Sequence, residues 1–143
     1  MRHMAQVIGI DFGMKRTGLA ATDPAGIIAS ALETVPTVEV MEWLKRFCAA
    51  RHVEGFVVGL PMNLNGTPTD VTPNVRAFVE ALGKAFPGHW VETVDERFSS
   101  TMAQQTLLAS GKGRMARRDK GQLDRISATI LLQGWLEHRQ RRG

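Results

Sequence analysis

The chain has one cysteine, Cys48, in 143 residues. That excludes an internal disulfide and any multi-cysteine zinc site. Cys48 falls among Val40, Met41, Leu44 and Phe47 at helical spacing, so it reads as a small buried hydrophobe rather than a reactive thiol. Tyrosine is absent and aromatics make up 6%. No aromatic pair of the kind that stacks RNA bases stands out, and nothing here tells RNA from DNA. No run of eighteen apolar residues occurs, so no transmembrane helix and no membrane partner are expected. The first residues lack an apolar core and a small-residue cleavage site, which makes a cytoplasmic location the expectation. Internal repeats and low-complexity linkers are missing too. The length suits one domain, placed at residues 5–138, with 1–4 and 139–143 expected as flexible termini.

What is present is an ordinary soluble composition, 43% hydrophobic and 22% charged. The formal net charge is +4, with a sequence pI near 9.8. The positive charge lies late in the chain. Lys112, Arg114, Arg117, Arg118 and Lys120 crowd one segment, and Arg139, Arg141 and Arg142 follow near the end. Clustered basic charge points to a polyanion, most often nucleic acid; a solvated loop and tail is the plainer alternative.

Hydrophobic periodicity gives the order β-β-β-α-β-α-β-α-α. Strands are expected at residues 5–12, 16–22 and about 27–34, the last two joined by the turn Asp23-Pro24-Ala25-Gly26. A helix follows over 38–51. GFVVGLP is apolar on both faces and reads as a central buried strand. Thr72-Pro73 opens a helix as N-cap and N1, with Val75, Phe78, Val79, Leu82 and Phe86 on one face. Trp90–Val94 is the next strand. Ser99 or Ser100 caps a helix through Leu107 and Leu108, Gly111-Lys112-Gly113 breaks it, and a last helix runs from about Gln122 to His138. Antiparallel strands followed by βα units predict one mixed sheet flanked by helices.

Three carboxylates sit where this pattern would rather exclude them. Asp11, in GIDFG, lies inside a strand between two glycines. Val7, Gly9, Asp11 and Gly13 share one face, and the glycines leave it open to a phosphate, a metal ion or another backbone. Asp95 and Glu96 end a strand, where open α/β sheets bind ligands. They point to opposite faces, so at most one joins Asp11, and the alternation does not say which. Asp124 stacks under Ala128 and Leu131 on the packed side of the last helix, where an unpaired carboxylate is costly. If the three converge, each pair repels by about 4 kcal/mol at 4 Å and an effective dielectric of about 20. Divalent cations relieve that repulsion, and an all-oxygen set selects Mg²⁺ or Mn²⁺. Two such ions suit in-line displacement at a phosphodiester. Each acid alone has a structural reading: a turn residue, a partner for Arg97 or Lys120, a partner for Arg125. D-x-G followed by a basic residue also fits the phosphate hairpin of actin- and hexokinase-like ATPases, but that architecture needs a second such domain, for which the chain has no room. His52 and His89 have no partner at metal-ligand spacing.

GIDFGMKRTGLA, VVGLPMNLNGT, VDERFSSTMA and DKGQLDRISATILLQGWL, in that order, resemble the motifs of the YqgF family, also called RuvX. Its members carry the labels Holliday junction resolvase and pre-16S rRNA nuclease. The resemblance runs from about Val7 to Leu136. It implies an RNase H-like α/β fold, a five-stranded mixed sheet with helices on both sides. It also implies metal-dependent cleavage of nucleic acid, with a role in maturing the 5′ end of 16S rRNA. By position, Asp11, Glu96 and Asp124 resemble the family's three acids, which makes them the expected catalytic and metal-holding residues for two Mg²⁺ or Mn²⁺ ions. The resemblance selects Glu96 over Asp95. Lys15 and Arg16 match the family's basic pair and Arg97 its D-E-R arginine. Thr17 departs from the pattern, standing where an aliphatic residue is commoner, and Ser127-Ala128 replaces two alanines.

Substrate contacts are expected from Lys15, Arg16, Arg97 and Asn63, and from Lys112, Arg114, Arg117 and Arg118 along the basic loop. The expected partner is pre-rRNA, with branched DNA as the alternative, and the expected state is a monomer or homodimer. Two rival readings stand beside the rRNA nuclease. One is a DNA endonuclease that resolves Holliday junctions, which needs two active sites and so a dimer. The other is a non-catalytic nucleic-acid-binding module with structural acids.

Overall fold

A computed structural model of the chain describes residues 5–96 and 120–142, with side chains placed at 124–139 of the second stretch. Five strands form one sheet: β1 (Gln6–Asp11), β2 (Arg16–Thr22), β3 (Ala29–Pro36), β4 (Val53–Leu60) and β5 (Trp90–Asp95). Their order is β3-β2-β1-β4-β5. The first three run antiparallel, while β4 joins β1 and β5 joins β4 in parallel. This is the mixed sheet expected from the order of the elements.

Helices α1 (Val40–Ala50) and α2 (Thr72–Ala85) cover one face, and α3 (Lys120–Arg142) covers the other. The alternation in β1 explains the split. Ile8 and Ile10 pack with Leu44, Val75 and Leu82 under α1 and α2. Val7 packs with Ala128, Leu131, Leu132 and Leu136 of α3. The helix expected from Ser99 or Ser100, its break at Gly111-Lys112-Gly113, Arg97 and the basic residues Lys112, Arg114, Arg117 and Arg118 lie outside the described residues.

Several boundaries differ from the sequence reading, each for a local reason. β3 starts two residues later than expected because Asp23 captures the chain before it. The Asp23 carboxylate accepts the amides of Ile27 at 2.7 Å and Ile28 at 3.0 Å, so both residues stay in the connection. Residues 37–39 form a 3₁₀ turn, and α1 proper begins at Val40. Thr72 is the first residue of α2 rather than its cap, with Val71 at the cap position. The Thr72 hydroxyl donates to the Pro61 carbonyl at 2.5 Å and accepts the Thr69 amide at 2.8 Å, so it joins the end of β4 to the helix.

α3 reaches Arg142, past the expected end at His138. Its last turns are held to the sheet edge. Trp135 stacks on Trp90 with ring centroids 5.3 Å apart, and its indole N–H donates to Glu92 at 2.6 Å. Arg139 lies over Trp135 at 5.1 Å and pairs with Glu54 at 2.8 Å.

Candidate functional site

The carboxyl ends of β1, β4 and β5 meet at one edge of the sheet, together with the start of β2 and the end of β3. Asp11 is the last residue of β1, so its carboxyl group stands at that edge. Its partner across the antiparallel pair is Gly18. On the other side, Ile10 pairs with Val58, which puts Gly59 beside Asp11.

These two glycines bring in the other acids. A β-carbon on Gly18 would run into the backbone carbonyl of Asp124, so the bare position lets the start of α3 lie on the sheet there. A β-carbon on Gly59 would occupy the place of the Glu96 carboxylate. One neighbour of Asp11 therefore seats Asp124, and the other seats Glu96. The sequence reading missed both glycines. Their only signal is that each lies in a strand interior, a position that marks close approach of another group.

At Gly9 the structure supplies one of the expected approaches, that of another backbone. Gly9 does not open the Asp11 face to solvent. Its missing side chain is replaced by α3, with Leu132 Cβ at 2.8 Å and the Ala128 carbonyl at 3.0 Å from where a β-carbon would stand. Gly13 allows the β1–β2 turn to close on the carbonyl of Arg16.

Strand parity settles which acid of β5 faces α3. Trp90 and Val94 pack in the α3 cluster, whereas Val91 packs under α2. Glu96 continues the even-numbered set, and its carboxylate lies over Gly59. Asp95 belongs to the other parity.

The three acids act on one another electrostatically. The Asp11 carboxyl is held well above the ordinary aspartate value, first by burial and then by a hydrogen bond with Glu96. The negative charges of Glu96 and Asp124 push it further in the same direction. Two carboxyl groups hydrogen-bond only through a proton, and burial favours the neutral form of Asp11. Asp124 pairs with Arg16, whose Nε lies 3.2 Å from Oδ2. Among the described residues no three acids stand as a ready-made ligand cage. Instead, a shared proton and one guanidinium supply the positive charge that three converging carboxylates require. The donors are all carboxylate oxygens, which fits a hard divalent cation.

The β1–β2 turn that carries Met14, Lys15 and Arg16 is tied to the end of β3. The Thr37 amide donates to the Lys15 carbonyl at 2.9 Å, and the Thr37 hydroxyl donates to the Gly13 carbonyl at 2.6 Å. Thr17, the departure from the family pattern, is fully buried, and its hydroxyl lies 2.9 Å from that of Thr37. Its polar group is satisfied by the same threonine that fixes the turn.

Asn63 lies in the loop after β4, and its side chain is spent within that loop. Nδ2 donates to Thr67 Oγ1 at 3.0 Å and to the Pro68 carbonyl at 3.1 Å. Lys15 and Arg16 are exposed beside the acids.

Comparison with known proteins agrees with this geometry. The family model for RuvX, described as Holliday junction resolvase, matches residues 5–138. A protein of Porphyromonas gingivalis named "Putative pre-16S rRNA nuclease" is 44% identical over 138 residues, covering 96% of this chain and 100% of the relative. A protein of the same name from Flavobacterium johnsoniae is 43% identical over 137 residues, covering 96% of this chain and 99% of the relative. Among solved structures, Thermus thermophilus RuvC in complex with a Holliday junction substrate superposes with a TM-score of 0.54 at 20% identity, over 96% of each chain. That likeness is one of fold, and the fold is RNase H-like.

Proposed function

This chain belongs to the RuvX family, and from that membership we propose that it is a metal-dependent nuclease that hydrolyses phosphodiester bonds during 5′-end processing of pre-16S rRNA. The observation that carries the reading is the convergence of Asp11, Glu96 and Asp124 from three separate elements, which helps hold the Asp11 carboxyl well above the ordinary aspartate value. A fold gains nothing in stability by crowding three carboxylates; sites that handle a cation and a phosphate need them. The substrate follows from the names of relatives more than 40% identical over nearly the whole chain.

Asp11, Glu96 and Asp124 would hold two Mg²⁺ or Mn²⁺ ions, which would supply an activated water and stabilise charge on the leaving oxygen. Asp11, at the end of β1, would serve as a deprotonated ligand, its proton released to solvent. Arg16 leaves Asp124 and, with Lys15, steadies the phosphate and its developing charge. Arg97, next in sequence to Glu96, adds a third positive charge. Lys112, Arg114, Arg117 and Arg118 grip flanking phosphates without reading sequence. Asn63 serves the substrate indirectly, by fixing the loop that follows β4.

The test is cleavage of a labelled RNA spanning the 16S 5′ leader, run beside a four-way DNA junction, with Mn²⁺, with Mg²⁺ and with EDTA. RNA cleavage that EDTA abolishes is the expected result. Cutting of the junction alone would move the substrate to branched DNA. Binding without cleavage of either would make the protein a non-catalytic module.

A further inference from the structure

Six large hydrophobic side chains are exposed among the described residues, and three of them lie in connections at the end of the sheet that carries the acids. Val38 is 93% exposed, Leu64 89% and Met14 58%. Met14 lies in the turn after β1, Val38 just beyond the end of β3, and Leu64 in the loop after β4. All three connections leave the sheet at the edge where Asp11 and Glu96 stand.

These side chains sit on held backbone. The Leu64 loop is closed by the Asn63 amide donating to the Thr67 carbonyl at 2.8 Å and the Gly66 amide to the Asn63 carbonyl at 2.9 Å. Asn65 Oδ1 accepts from the Thr67 amide at 3.1 Å and from its hydroxyl at 2.6 Å. Gly66 takes a φ of 86°, which lets the loop turn back so that Met62 bridges to Pro68. Leu64 is the apolar tip of this polar loop. Thr37 fixes the other two: its bonds to Gly13 and Lys15 flank Met14, and Val38 is its own neighbour.

An exposed apolar side chain on a held loop is ready to bind without a large ordering cost. The chemistry beside it selects the occupant. Met14 is followed by the exposed cations Lys15 and Arg16, and Leu64 is flanked by the amides Asn63 and Asn65, next to a site that handles phosphate. That mixture matches a nucleic-acid strand, whose phosphates are anionic and whose base faces are apolar. Apolar side chains inserted between base steps unstack them.

We infer that Val38, Met14 and Leu64 form a base-contacting rim, with Leu64 as a wedge that enters between nucleobases next to the phosphate held by the acids. The inference rests on the nuclease reading. It adds that the substrate is engaged where its bases can be parted, at a junction between paired and unpaired strands. Leu64 holds the bases apart, and Asp11, Glu96 and Asp124 meet the backbone so exposed.

The experiment uses the full chain carrying Asp11→Asn to suppress cutting. The probe is an RNA hairpin with a single-stranded 5′ tail and 2-aminopurine at the paired–unpaired boundary. Anisotropy reports binding, and 2-aminopurine fluorescence reports unstacking. Added Leu64→Ser is expected to weaken binding about five- to tenfold and to remove most of the fluorescence rise; Leu64→Met is expected to keep both. An undiminished rise with Leu64→Ser would overturn the wedge and leave the nuclease reading standing. No RNA or junction binding by any form would overturn both. A dimer in sedimentation that Leu64→Ser dissolves, with unstacking unchanged, would assign the rim to self-association and overturn the inference.

Discussion

Glu96 lays its carboxylate over Gly59, in the space a β-carbon there would fill. The second acid is thus positioned by a residue with no functional group. Gly59→Ala is expected to displace Glu96 from Asp11 and lower the cleavage rate on the order of a hundredfold, since misplacement by about 1 Å costs that much. The folded state should survive, because the group that must move is a side chain at the sheet edge. Unchanged cleavage by a well-folded Gly59→Ala protein would show that Glu96 does not need this seat.

Two other glycines should respond with opposite sign to the same substitution. Gly9 faces Leu132 and the Ala128 carbonyl, so Gly9→Ala forces α3 off the sheet and should cost about 1–3 kcal/mol. Gly83 lies within α2 with open space around it, so Gly83→Ala should gain roughly 0.5–1 kcal/mol by restricting the unfolded chain. Urea unfolding of both variants measures the contrast.

Arg16 occupies Asp124 in the protein without an ion. Arg16→Gln should therefore bind Mn²⁺ more tightly, by a few-fold, because a half-exposed pair is worth about 1 kcal/mol or less. The same variant should bind RNA more weakly, having lost a phosphate contact. Calorimetric titration with Mn²⁺ separates the two effects, and equal Mn²⁺ affinity would show that Arg16 does not compete with the ion for Asp124.

The raised Asp11 value fixes the sign of a pH effect. A group whose value is raised by folding favours the fold while protonated, fully below the ordinary aspartate value of about 4. That contribution is lost as pH climbs through the folded-state value, which lies well above it. In EDTA, the melting temperature of the unsubstituted protein should fall over this range relative to that of Asp11→Asn, which has no proton to lose. Added Mn²⁺ should offset the fall, as the ion takes the place of the proton. Parallel pH profiles for the two proteins would contradict the shared proton.

Much of this architecture was legible in the residues, and its gaps have physical causes. The order of elements, the mixed sheet, and Asp11 and Asp124 as candidate acids follow from periodicity and from carboxylates on packed faces. The choice between Asp95 and Glu96 did not follow, because both parities of β5 mix apolar and polar residues. On α3 the packed side expected through Ala128 and Leu131 is buried, and Leu132 and Leu136 extend it. Small residues decide that contact, since Ala128 and Gly9 let helix and sheet approach closely. Gly18 and Gly59 escaped notice for a related reason. Their role is to be empty, and only the structure shows what fills the space.

The central claim is that Asp11, together with Glu96 and Asp124, forms the catalytic centre. It is tested most directly by the single-turnover cleavage rate of Asp11→Asn against the unsubstituted protein, on the 16S leader RNA with saturating Mn²⁺. The account predicts a loss of at least about a hundredfold, with RNA binding retained. Cleavage at the unsubstituted rate would contradict it.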